Sequence, residues 1–264
     1  MSGSEERDGR RDAGVRRALE RLGIPGDGIL MVHSAFKTMA REGHEAGSVL
    51  ATIVDYMAPG TLLLPTMSWR YVKPDKPVFD ELSTPSNTGV LTELFRTRFA
   101  SARSLHPTHS VAGRGDLAAL LLGSHHLDET PCSPRSPFGL LAGHEGWIVM
   151  LGITMDCCTL IHHVEEMIAP DLYLRPPAQR ETYTCRDRHG REVTVSLRRH
   201  LFLPRDYYQF QDLLAARGLL RITRVDNTIC RAFRATDLVH EVTETLTRRP
   251  DAIIARPGQR YRMM

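Results

Sequence analysis

The residues best suited to chemistry lie in one stretch, Trp147 to Glu166, which reads WIVMLGITMDCCTLIHHVEE. A polar turn in its middle feeds a helix-like pattern carrying His162, His163, Glu165 and Glu166. On a helix, Glu165 and Glu166 follow His162 on the same side. A histidine in a first helical turn feels the positive end of the helix dipole, which favours neutral imidazole and so a working base. His163 reads as a neighbour without a catalytic role. Cys157 and Cys158 raise a nucleophile, but small buried residues filling a strand-to-helix turn are the simpler reading. A rival from another enzyme class is a metal-dependent hydrolase using His106, His109, His162 and Glu165 or Glu166; H-x-x-H and H-x-x-E are weak spacings for it.

These side chains must be held by the elements around them. Trp147 to Ile153 is a continuous apolar run after Gly146, the pattern of a strand buried on both faces. Asp156 or Thr159 is the candidate N-cap of the following helix, with Leu160, Ile161, Val164, Met167 and Ile168 as its apolar stripe. A strand end meeting a helix start is where α/β proteins place their chemistry. Upstream, the patterns predict a helix from Asp12 to Leu22, a strand at Gly28 to Val32 ending at His33-Ser34, a helix at Ser48 to Met57 and a strand at Thr61 to Leu64. The stretch from Pro65 to Pro85 is too long for a simple connection and reads as a binding loop. A helix follows at Thr88 to Phe99, then a loop from Ser101 to Ser110 and an irregular Ser/Pro-rich segment at 132–139. Downstream come strands at Thr182 to Cys185 and Val193 to Leu197 with a turn at His189-Gly190. A helix near Tyr207 to Arg217, a strand near Leu219 to Val225 and a helix near Thr236 to Thr247 complete the reading. The alternation predicts an α/β fold, a three-layer α/β/α arrangement with a mixed central sheet, and a C-terminal third more α+β in character.

Composition narrows the class. At 264 residues, with 42% hydrophobic and 25% charged, the chain reads as an ordinary globular protein. A net charge of +3 gives no argument for nucleic acid or membrane partners. All of the 34 basic residues but Lys37, Lys73 and Lys76 are arginines, a bias that a GC-rich genome explains. Five cysteines without CxxC spacing argue against a disulfide framework or a structural zinc knuckle. No apolar stretch reaches transmembrane length, the polar N-terminus has no signal-peptide core, and a cytoplasmic protein is expected. Residues 1–12 read as a disordered tail and 13–264 as one domain. Oligomeric state has no signature.

Three segments then line up in order: MVHSAF (Met31 to Phe36), RSLHPTHSVAGRG (Arg103 to Gly115) and LGITMDCCTLIHHVEE (Leu151 to Glu166). Together with FDELSTPSNTGVLTELFR (Phe79 to Arg96) and SPFGLL (Ser136 to Leu141), they resemble the aminoglycoside 3-N-acetyltransferase family, which is distinct from the GNAT superfamily. The resemblance covers nearly the whole chain from about residue 14. It implies acetyl transfer from acetyl-coenzyme A to an amine by direct attack. In its T-x-x-H-x-x-E pattern, Thr159, His162 and Glu165 match, with His162 as general base and Glu165 orienting or supporting it. It further implies coenzyme A beside His33, Ser34, Ala35 and Phe36 and beside Arg103 and Ser104, with Arg103 suited to a phosphate and Ser110 close to the thioester. A positioned base contributes roughly 10²–10⁴-fold to such a step.

The acceptor side departs from the family. Ser68-Trp69 is followed by Arg70, Lys73 and Lys76, relieved only by Asp75, Asp80 and Glu81. Like charges oppose a polycation, so a neutral or anionic amine, such as a biosynthetic intermediate, fits better than an aminoglycoside. The basic loop could equally be a solvated surface, or dock the coenzyme A nucleotide or an acidic acyl-carrier protein. His109 is either a buried histidine bonding its loop or a substrate contact. His106 is more often structural beside Pro107. Glu93 either positions the acceptor or pairs with Arg96, and Asp156 reads as a cap.

Overall fold

The computed structural model describes residues 13–264. The expected tail at 1–12 and the Asp12 cap lie outside the described residues. Helix α1 runs over 13–21. It is followed by β1 (Ile29–Ser34), α2 (Lys37–Arg41), α3 (Ala46–Tyr56), β2 (Thr61–Pro65), β3 (Val78–Asp80) and α4 (Val90–Arg98). Then come β4 (Ala102–Arg103), β5 (Val111–Gly115), α5 (Ala118–Leu122), α6 (Pro137–Gly143), β6 (Trp147–Leu151), α7 (Leu160–Ile168) and α8 (Pro170–Tyr173). The last part holds β7 (Glu181–Arg186), β8 (Glu192–Leu197), β9 (Pro204–Arg205), α9 (Tyr208–Ala216), β10 (Arg221–Val225), β11 (Thr228–Arg234), α10 (Ala235–Arg248) and β12 (Arg262–Met263).

The main sheet has the order β10-β11-β6-β1-β2-β5-β4. Its centre, β6-β1-β2, is parallel, and both flanks are antiparallel. The central strands are continuous apolar runs because both of their faces are covered. Ile29 and Met31 of β1, Leu63 of β2, and Ile148 and Met150 of β6 join one core with residues of α5, α6, α7, α9 and α10. Their alternates Leu30 and Val32, Leu62 and Leu64, and Trp147, Val149 and Leu151 join a second core with α1, α3 and α4. The period of two thus divides each strand between two helical layers, as the sequence predicts. No helix among the described residues is long and apolar enough to cross a membrane.

Several differences have physical causes. The Pro65–Pro85 stretch is not a free loop: β3 joins β7 and β8 in a separate three-stranded sheet. Val72 and Phe79 pack there with Tyr183, Cys185, Val195 and Leu197. The Ser/Pro-rich segment starts α6, where Ser136 Oγ accepts from the Gly139 N–H and Pro137 takes the first helical position, the place where a missing N–H does no harm. Strand β11, unmarked in the sequence reading, pairs with β6 and β10 after a turn in which Asp226 has φ 50°.

Candidate active site

The chemistry-bearing segments converge at the C-terminal end of the parallel strands. Ser34 of β1 lies opposite Leu151 of β6, and the Ala35 N–H donates to the Leu151 carbonyl at 2.9 Å. The chain then turns at Gly152, whose φ is 66° and where a Cβ would stand 2.7 Å from the Ala35 carbonyl oxygen. Both facts call for glycine there. A short 3-10 turn, Met155–Cys157, leads into α7. Thr159 occupies the N-cap position but its hydroxyl makes no cap hydrogen bond. Asp156 does not cap either; it accepts from Thr154 and from Arg262.

Helix α7 buries more than its apolar stripe. Leu160, Ile161 and Val164 are buried as expected, whereas Met167 and Ile168 are exposed and Pro170 closes the helix. His162, Glu165 and Glu166 are buried instead, so this helix turns its polar side inward. The His162 Nδ1–H donates to Glu165 Oε2 at 2.7 Å, which leaves a lone pair on Nε2. Burial holds the His162 pKa below its usual value, with Glu165 opposing part of that shift. The imidazole is therefore neutral at pH 7.

Glu165 is 0% exposed and stays ionised because burial, which raises its pKa, is outweighed by His162 and Arg205. Arg205 Nε donates to Glu165 at 2.9 Å, and the Tyr207 hydroxyl donates to it at 2.8 Å while lying 2.9 Å from His162 Nδ1. Burial and the Glu165 charge push the Tyr207 hydroxyl well above its usual pKa, so it keeps its proton. Arg205 and Tyr207 were not visible in the sequence reading. They lie 40 and 42 positions from Glu165, and the only signal was an arginine set in the apolar, aromatic run LFLPRDYYQF. His200, also missed, stacks on His162 with ring centroids 4.1 Å apart and planes at 19°.

The second segment reaches the same place through His109, whose ring meets His200 edge-on at 5.5 Å and whose Nδ1 lies 2.8 Å from the Thr108 hydroxyl. His106 accepts the N–H groups of Thr108 and His109 and stacks on His125 at 4.3 Å. His106 therefore holds its loop. The set named for a metal-dependent hydrolase is not gathered: no group of potential metal-binding atoms among the described residues joins His106 or His109 to His162 and Glu165, and His106 stacks on His125 instead. Two groups of described residues do bring potential metal-binding atoms within 4.8 Å of one another, Cys132–Glu166–His200 and Glu42–His44–Asp226. In the first, Glu166 and His200 share a hydrogen bond, and burial, with Glu166 adding to it, pushes the Cys132 thiol well up. Burial pushes Cys157 and Cys158 up to about 12 as well, so neither supplies a thiolate nucleophile. His163 donates to the Cys132 carbonyl at 2.7 Å, a structural contact.

The cofactor expectations divide. Ser34, Ala35 and Phe36 are half-buried at the C-terminal end of β1, and His33 beside them is buried, its Nε2 without a hydrogen-bond partner among the described residues. Arg103 is buried, its guanidinium donating to Ser110 Oγ and Thr66 Oγ1 and to the Thr84, Glu81 and Thr66 carbonyls. Ser104 bonds His125 and the Val111 N–H, and Ser110 donates to the Thr66 carbonyl. These two hydroxyls are likewise committed inside the protein. Glu93 pairs with Arg96 and accepts the Ser86 N–H.

The family model described as aminoglycoside 3-N-acetyltransferase matches residues 31–247. The chain belongs to the aminoglycoside 3-N-acetyltransferase family. It is 29% identical over 257 residues to aminoglycoside N(3)-acetyltransferase III of Pseudomonas aeruginosa, covering 88% of this chain and 92% of that protein. Among solved structures, aminoglycoside acetyltransferase AAC(3)-IVa in complex with a gentamicin shares the fold, with a TM-score of 0.78 and 24% identity over 93% of this chain and 92% of that one. AAC-IIIb with CoASH does so at a TM-score of 0.74 and 21% identity, over 94% and 98%. This acetyltransferase family membership is what the three ordered segments imply. The His162 arrangement lies inside the matched span.

Proposed function

We propose that this N-acetyltransferase moves the acetyl group of acetyl-coenzyme A directly to an amine, with His162 as general base. The observation that carries the reading is the buried His162–Glu165 pair, fixed from behind by Arg205 and Tyr207. His162 Nε2 takes the proton of the attacking nitrogen as the N–C bond forms and returns it to sulfur as the C–S bond breaks. Glu165 holds the ring in the right tautomer and stabilises the imidazolium. The CoASH-bound neighbour supports free coenzyme A as the donor over a carrier-bound one, and the half-buried residues 34–36 at the C-terminal end of β1 are the place for its pantetheine arm.

The relatives' names make an aminoglycoside amine the acceptor class to test first. A second reading, an acceptor of lower positive charge, is favoured by one observation. Arg70, Lys73 and Lys76 are all exposed on the segment before β3. Thiol release from acetyl-coenzyme A should be measured with gentamicin-type aminoglycosides and with monoamines of low charge, for wild type and His162→Ala. Turnover unchanged in the variant removes His162 from the mechanism. If the basic segment opposes the acceptor, the KM for a polycation falls as salt rises, because screening weakens the repulsion. A KM that rises with salt would instead show net attraction.

A further inference from the structure

We propose that His200 and Glu166 form a second histidine–carboxylate pair, stacked on the first, which positions His162 and adjusts its charge environment without touching substrate. The inference rests on the reading of His162 as the base. The His200 ring covers one face of His162, with centroids at 4.1 Å and planes at 19°. From that covered face His200 reaches back to the same helix, its Nε2 standing 2.7 Å from Glu166 Oε1. The Cys132 N–H anchors both Glu166 oxygens, at 2.9 and 3.1 Å. Adjacent residues of α7 thus feed two parallel imidazoles, Glu165 directly and Glu166 through His200. Glu165 and Tyr207 hold the His162 ring at Nδ1, and the stack confines its face, so the ring cannot swing without losing both.

The two pairs differ in their counterions. Glu165 has the Arg205 guanidinium, whereas Glu166 has no arginine or lysine partner among the described residues. The groups facing Glu166 are Glu165 on its own helix, Asp128, Thr130 and Cys132 on the segment before α6, and His200. Those facing His162 are Glu165, Arg205, Tyr207, His200 and His109. Burial, with Glu165 and Asp128 adding to it, pushes Glu166 up to about 8. Burial, with His162, His109, Arg205 and Arg199 adding to it, keeps His200 neutral. At neutral pH the outer pair therefore keeps one proton and no net charge. Above pH 8 Glu166 ionises, and its negative charge one ring away favours the imidazolium that forms on His162 during turnover.

The test is a histidine NMR titration of the free full-length enzyme alongside pH profiles of kcat and KM. Signals are assigned with His162→Gln and His200→Phe. In wild type the His162 signal should show a second inflection between pH 7 and 9 besides its own titration. Glu166→Gln, close to isosteric, should erase that inflection, keep the lower one, and lower the pH 9 to pH 7 ratio of kcat severalfold with KM within about twofold. His200→Ala should lower kcat about tenfold or more at unchanged KM, and His200→Phe, which restores a flat wall, should recover most of it without the second inflection. If Glu166→Gln does not fold, His200→Phe carries the same titration. A wild-type His162 trace with one inflection, or a Glu166→Gln profile superimposable on wild type, overturns the proposal, as does stoichiometric zinc in the purified protein. Should His162→Ala retain turnover while the coupled titration is present, the base assignment fails and the coupling stands. Should the variant be inactive and the coupling absent, only the present proposal fails.

Discussion

Two arginines are buried among the described residues, and they do opposite things. Arg205 is 0% exposed and meets a carboxylate, Glu165, so that two buried charges neutralise each other beside His162. Arg103 is 5% exposed and meets mainly carbonyls and hydroxyls, from Thr66, Glu81, Thr84 and Ser110, with its face on Phe79 at 4.7 Å. Burial pulls its pKa down to about 9, still charged at neutral pH. Arg103 ties three stretches of chain together; Arg205 sets the charge of the site. A buried guanidinium opposite a carboxylate shapes reactivity, and one opposite carbonyls shapes the scaffold.

The strongest way to break this division is to attack the site that Arg205 supports. His162→Ala should reduce kcat/KM by about 10²–10⁴-fold while circular dichroism and thermal unfolding stay near wild type. A drop of less than tenfold would separate the Arg205 cluster from catalysis. Next, Arg205→Met leaves Glu165 buried without its cation and should cost about 3–5 kcal/mol of stability in urea unfolding. In whatever enzyme still folds, activity should fall further than the folded fraction does. Arg103→Met should lose stability too, about 1–3 kcal/mol for each carbonyl left unpaired, yet activity should track the folded fraction. Parallel losses in both variants would erase the contrast.

Acid sharpens the scaffold side. His125, which bonds Ser104 and the Pro131 carbonyl, is held down to about 3, and His33 is held down to about 4, both mainly by burial. Unfolding returns each to the ordinary value of 6.5, so between these limits the unfolded chain binds protons that the native one refuses. Their contribution is intact above pH 6.5 and is lost as pH falls. At pH 5 each should cost about 2 kcal/mol, seen as a lower Tm than at pH 7. A Tm unchanged over that range would show the two rings free to ionise in place. The smallest effect is reserved for Tyr207→Phe. Losing one of the donors to Glu165 should cost about 0.5–1.5 kcal/mol and lower kcat by up to about tenfold, with the acid limb of the rate profile shifted.

Much of the fold is legible because buried parallel strands are written as unbroken apolar runs. GILMV and WIVML announce β1 and β6 without reference to anything distant. Helix α7 is legible for the opposite reason, its regular 3.6-residue period. What stayed hidden has local causes too weak to stand alone. Strand β11 mixes arginines with Cys230, Ala232 and Phe233, and α6 hides behind a Ser-Pro start that also reads as a turn. His162 and its partner Glu165 were reachable because they are three residues apart on one helix. Arg205, Tyr207 and His200 were not, because no spacing rule connects residues that meet only after some forty positions of chain have folded back.

The sequence by itself therefore determined the layered α/β class, the strand-to-helix turn that presents His162, and the family to which the chain belongs. These depend on periodicity and short-range spacing, which survive without coordinates. The tertiary structure alone decided which charges are neutralised and which are left to burial. It made Arg103 an internal tie, set Arg205 and Tyr207 behind Glu165, and laid His200 on His162. Desolvation and pairing act through distances of a few ångströms between groups far apart in the chain, and only the folded arrangement brings those groups together.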